Sequence, residues 1–146
     1  MTSQPARVAV LPYGKKLGKA PQTLPLDALE WPLGMPADIA GQTLADLRPT
    51  DHLLTTPTTS SYLRRSFGTA ARVSVLVMEP RAVHQKHMRL LRLFRRRFHR
   101  ILTCDSRLLS QTSNAVFFQT GGCWVPDWQE IDLRKTAMCS LIASGK

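Results

Sequence analysis

Between residues 73 and 118 the chain alternates short apolar runs with helical periodicity: VSVLVM (73–78), a basic amphipathic stretch, RIL (100–102), a short helical segment and AVFF (115–118). The runs are rich in β-branched and aromatic residues and are uninterrupted rather than alternating. That is the pattern of strands buried on both faces. Strand, helix, strand, helix, strand in this order implies right-handed βαβ crossovers and a parallel sheet, so the expected fold class is α/β. Similar runs at VAVL (8–11), HLL (52–54) and AMCSLIA (137–143) predict further strands.

With 146 residues the chain suits one ordinary domain. Eight of its ten prolines fall in the first sixty residues, where WPLGMP (31–36) and TTPTTSSY (55–62) read as irregular connections. Residues 43–47 read as the start of a short helix. Three cysteines, Cys104, Cys123 and Cys139, lack C-x-x-C spacing, which argues against a disulfide framework or a zinc site and for reduced thiols in a cytoplasm. Cys104 reads as a buried thiol. No stretch is long and apolar enough to span a bilayer, so the expected location is the cytoplasm, with a peripheral membrane association as an option.

The stretch HQKHMRLLRLFRRRFHRILTCD (84–105) concentrates the charge. Eight of the chain's 20 basic residues lie within residues 81–100, which hold no acidic residue, leaving 12 against 10 elsewhere. At 100° per residue, Leu90, Leu91, Phe94 and Phe98 fall on one stripe, while Arg89, Arg92 and Arg96 fall opposite. The helix is expected to dock its apolar stripe on the sheet and to run directly into the strand RILT, leaving its cationic face outward. Arg95, Arg96 and Arg97 also oppose the negative end of the helix dipole. Such a face reads first as a solvated cationic surface; the sharper readings are attraction to anionic lipid headgroups or to phosphates. No aromatic residue interleaves the arginines to stack on bases, so nucleic acid is the less favoured of these.

VSVLVMEP ends in Glu79, the only carboxylate between Asp51 and Asp105. In open α/β sheets, reacting groups collect at the carboxyl ends of strands. A glutamate there can accept a proton from a substrate hydroxyl, although helix capping or a salt bridge would equally explain it. His84 and His87, three residues apart on a helix, can present two metal ligands, but nothing nearby supplies a third, and ordinary histidines are the better reading. The terminal S-G-K lacks the glycine and hydroxyl residue of a phosphate loop. Gly121 and Gly122 supply a turn or a close approach to a sugar, and Trp124 and Trp128 offer packing or sugar-facing rings.

Three segments taken in order resemble the fucosyltransferase-like glycosyltransferases of family ten. They are M-E-P-x-x-x-H (Met78, Glu79, Pro80, His84), F-x-x-I-L-T-x-D-S (Phe98, Ile101, Leu102, Thr103, Asp105, Ser106) and A-V-F-F-x-x-G-G-x-W (residues 115–118, Gly121, Gly122, Trp124). The likeness spans residues 72–146. It departs from the family pattern in lacking the middle Ser of E-S-P, in placing His84 one residue late and in having Gly145 where Asn is usual.

The resemblance implies a Rossmann-like parallel sheet with flanking helices, the N-terminal half of a GT-B architecture. Residues 1–128 would form the acceptor-side domain, and residues 129–146 a linker and first strand of a donor-sugar domain. Glu79 would be the catalytic base and His84 its orienting partner, with Gly121, Gly122 and Trp124 binding substrate. The partners implied are a glycan acceptor and, in a full-length form, a nucleotide sugar of the GDP-fucose type; no cofactor or metal is called for. The family's diphosphate-neutralising residues have no counterpart here, so a chain of this length is expected not to be a competent transferase alone. The competing expectation is a stand-alone basic α/β module binding RNA or anionic membrane.

Overall fold

The computed structural model describes residues 5–79 and 81–119, together with Glu130 and Arg134. The expected strand at 137–143, the domain boundary at 128, Pro80, Gly121, Gly122, Trp124, Trp128, Cys123 and Cys139 lie outside the described residues.

Five of the apolar runs form strands: β1 (Val8–Val10), β2 (His52–Thr55), β3 (Arg72–Val77), β4 (Ile101–Thr103) and β5 (Ala115–Phe117). They make one sheet, parallel throughout, in the order β1-β2-β3-β4-β5. Three helices accompany them: α1 (Thr59–Leu63), α2 (Arg81–Leu93) and α3 (Ser106–Gln111). This is a Rossmann-like α/β arrangement in which, among the described strands, the order runs through the sheet without reversal.

Successive parallel crossovers of one hand that all step in the same direction return on the same side of the sheet. Consistent with that, α1 packs on α2 and α2 on α3. The strand faces differ accordingly. Ala9, Leu53, Thr55, Val73, Val75, Val77, Ile101 and Thr103 are buried, and their register places them on one face. On the other face Val8, Val10, Leu54, Leu76 and Leu102 are half-buried, and Val116 is 40% exposed. The expectation of strands buried on both faces is therefore corrected, with Ser74 the buried exception on the second face. Uninterrupted apolar runs report that both faces tolerate hydrophobic residues, which does not require both to be equally covered.

The basic segment also differs from a single helix running into a strand. α2 departs from helical backbone at His84 (φ −113°, ψ 31°) and ends at Leu93. A 3-10 turn over Arg95–Arg97 follows, and Phe98 is already extended. Phe98 is still buried, but it reaches the core from the connection to β4, edge-on to the ring of Tyr62 at 6.1 Å. Met88, only 1% exposed, widens the docking stripe beside Leu91. Phe94 is half-buried and stacks on Tyr62, with centroids 6.4 Å apart.

The long β1–β2 connection packs Leu17, Leu26, Leu29, Ile39, Leu44 and Leu47 into the same core. The expected short helix at residues 43–47 is a single 3-10 turn, Leu44–Asp46, held by a capping box between Thr43 and Asp46. Gly68 joins this connection to the α1–β3 loop. Its φ is +71°, and a Cβ there would lie 2.4 Å from the backbone nitrogen of Gln22, so only glycine fits.

Candidate functional site

β1, β2 and β3 each end toward the same side, and the segments leaving them enclose a cleft of about 200 Å³. From β1 comes the turn carrying Tyr13, Gly14, Lys15 and Lys16; from β2, Thr56, Pro57 and Thr58; from β3, Leu76, Met78 and Glu79; from the first turn of α2, His84. The first of these is a β-turn closed by the Lys15 N–H donating to the Pro12 carbonyl at 3.0 Å. Gly14 takes φ +81° at its third position, as a type II turn requires.

Two residues singled out by the sequence, Glu79 and His84, thus share one cleft. Glu79 is half-buried and, among the described residues, has neither a hydrogen bond nor an ion pair. It caps no helix and forms no salt bridge, which removes both structural explanations offered for it. The backbone departure at His84 sits where α2 meets the cleft, so the helix break and the cleft wall are the same residue.

Sequence reading missed Tyr13, Lys15, Lys16, Thr56 and Thr58. The signal was present: each follows an apolar run within a few residues, and the strand-end rule that selected Glu79 applies equally to β1 and β2. The two lysines are exposed. Lys15 Nζ approaches the Ala28 carbonyl at 3.5 Å, while Lys16 has no partner among the described residues. The wall therefore presents one free carboxylate, one imidazole, threonine side chains and two cations.

His87 has a different role. Its Nδ1 lies 3.1 Å from the hydroxyl of fully buried Tyr62, and its ring stands edge-on to His84 at 5.1 Å. Burial holds the Tyr62 phenol protonated far above its ordinary range, so its hydroxyl meets Nδ1 as a neutral hydrogen-bond partner. Burial, then the neighbouring His84 and Lys86, push the His87 imidazole below its usual value. Through its bond to Tyr62, His87 anchors α2 to α1. Among the described residues, no group of three or more His, Cys, Asp or Glu is placed to hold a metal ion.

Cys104 is exposed, correcting the expectation of a buried thiol. It follows Thr103, which points into the core, and the alternation of an extended chain turns the next side chain outward.

Asp105, from the D-S of the family-like segment, is structural. Its Oδ1 accepts the Leu108 N–H at 2.8 Å, capping α3, and its carboxylate takes two hydrogen bonds from Arg81, at 2.5 and 3.0 Å. That fork binds the start of α2, beside the cleft, to the start of α3.

Of the arginines in the basic segment, Arg89, Arg92 and Arg96 are exposed. Arg95 Nη1 donates to the Arg92 carbonyl at 3.1 Å, the helix-end role expected of it. Arg97 turns inward instead, donating to the Arg64 carbonyl and lying 6.0 Å from the Phe67 ring centroid. No helix among the described residues is long and apolar enough to cross a membrane. Comparison with known proteins finds no matching family model, no matching curated protein and no matching solved structure.

Proposed function

We propose that this chain is the acceptor-side domain of an inverting, fucosyltransferase-like glycosyltransferase. The observation that carries the reading is Glu79: an unpartnered carboxylate at the carboxyl end of a central parallel strand, in a cleft shared with His84. A carboxylate with free lone pairs is what general-base activation of a sugar hydroxyl needs. In this reading the acceptor hydroxyl oxygen attacks the anomeric carbon of the donor sugar and its proton passes to Glu79. The bond from that carbon to the phosphate oxygen breaks, and the electron pair leaves with the nucleoside diphosphate. His84, expected as the orienting partner of Glu79, has no hydrogen bond to it among the described residues. In this reading it orients the acceptor from the same cleft wall. Thr56 and Thr58 offer hydroxyls to hydrogen-bond it, and Tyr13 offers a ring face. The nucleotide sugar, of the GDP-fucose type, is held by a donor-sugar domain, as the resemblance implies.

The test is a titration of the isotopically labelled chain with neutral oligosaccharides bearing galactose and N-acetylglucosamine, followed by amide chemical shifts. Expected is saturable binding whose shifts cluster at Thr58, Leu76, Glu79 and His84. Shifts scattered away from the cleft, or none at millimolar sugar, would sink the acceptor assignment. In a form of the protein that turns over, Glu79→Gln should lower kcat by about a hundredfold or more while leaving acceptor KM nearly unchanged.

A further inference from the structure

The outer face of α2 does not take part in the cleft, the core or any ion pair among the described residues. Lys86, Arg89 and Arg92 are exposed there, as is Arg96 in the 3-10 turn that follows. Beside them Leu93 is 71% exposed, at the last turn of a helix whose other leucines are at least half-buried. Between this end of α2 and Gln111 of α3 lies a shallow groove of about 370 Å³, lined by Arg89, Arg92, Leu93, Arg95 and Gln111. A solvated cationic face needs no protruding leucine, and a core-facing leucine would not sit among arginines.

We propose that this face of α2 is a docking surface for an anionic lipid bilayer. Charge complementarity favours that partner: the exposed Lys86, Arg89, Arg92 and Arg96 have no ion pair among the described residues, so this face carries charge of one sign. The arginines meet lipid headgroups, and Leu93 enters the headgroup boundary beneath them, as in an interfacial helix. A single-stranded nucleic acid is the weaker fit because the face carries no aromatic ring to stack on bases. Phe94 and Phe98 are turned onto Tyr62. Docking also places the cleft: His84 and Leu93 are nine residues apart, about 14 Å along a helix. The cleft mouth then sits close to the membrane surface. The inference is independent of the acceptor reading, since the face and the cleft share no residue.

The experiment is co-sedimentation of the whole chain with vesicles of phosphatidylcholine alone or with a third of phosphatidylglycerol, at low and at about 300 mM NaCl. Binding is expected only to the anionic vesicles and should weaken strongly with salt. Reversing three charges together (R89E, R92E, R96E) should lower partition by about a hundredfold, while the corresponding lysine variant keeps it. Leu93→Ser should lower partition about fivefold without changing the salt dependence. Circular dichroism on each variant confirms that the fold is intact. Equal binding to neutral vesicles, or none to anionic ones at low salt, would overturn the proposal. So would Leu93→Ser binding like the parent chain while a single-stranded RNA competes the vesicles off.

Discussion

At the scale of single residues, the side chain most committed to the fold is Asp51, which sequence reading noted only as a neighbour of Glu79 in composition. It is fully buried and accepts four hydrogen bonds: from the Arg7 and Arg48 N–H groups at 3.0 and 2.9 Å, and from Arg48 Nε and Nη2 at 3.1 and 2.8 Å. Burial pushes its carboxyl up. The Arg48 side chain, the two backbone donors and the Arg48 charge outweigh that and hold it at about 2. Because this lies below the ordinary 3.8, the bound proton favours the unfolded chain. The stabilisation is complete above about pH 4 and is lost as the pH falls through about 2, an effect of about 2 kcal/mol. Asp51→Asn turns an amide donor toward groups that are all donors and should cost about 3 kcal/mol at neutral pH. Urea denaturation from neutral to acid pH checks both. The variant should start lower and show a flatter acid limb, and parallel curves would show that Asp51 is not the titrating group.

At the scale of elements, the joint between α2 and α3 rests on Asp105. An arginine at the first position of a helix opposes the positive end of its dipole, so Arg81 is tolerated at the start of α2 because Asp105 answers it. Asp105→Ala removes both the α3 cap and the charge facing Arg81, and should cost about 2 kcal/mol. Asp105→Asn, which retains a capping oxygen, should cost about half as much. Equal losses in thermal denaturation would mean that the cap contributes nothing. The strands were legible because β-branched runs between loop signals leave few other choices, and Glu79 was legible because a strand end is a position as well as a residue type. The break at His84 and the 3-10 turn at Arg95–Arg97 were not legible. Helical periodicity survives both interruptions: Phe98 lands on the stripe whether the chain is helical or extended. Likewise, the fork between Arg81 and Asp105 joins residues 24 apart and leaves no mark in local pattern.

At the scale of the whole molecule, charge is distributed so unevenly that salt should act on stability with a definite sign. The net charge is +10, and residues 81–100 supply eight cations, of which Arg81 alone is paired with a carboxylate among the described residues, that of Asp105. The pairs Arg7–Asp38 and Arg81–Asp105 are each partly buried, so screening weakens them only in part. Asp51 is buried and is screened little. Repulsion among Arg89, Arg92 and Arg96 acts through water and is screened almost fully once the Debye length falls below their spacing. Relief of repulsion therefore outweighs loss of attraction. Raising NaCl from low concentration to about 0.3 M should increase Tm by about 3 °C. Chloride is the appropriate anion because sulfate stabilises by exclusion whatever the charge. Neutralising the three arginines to glutamine should raise Tm at low salt and remove most of the salt response. A Tm that falls with NaCl in the parent chain would mean that attractive pairs dominate and that the outer face of α2 is already answered by anions of its own.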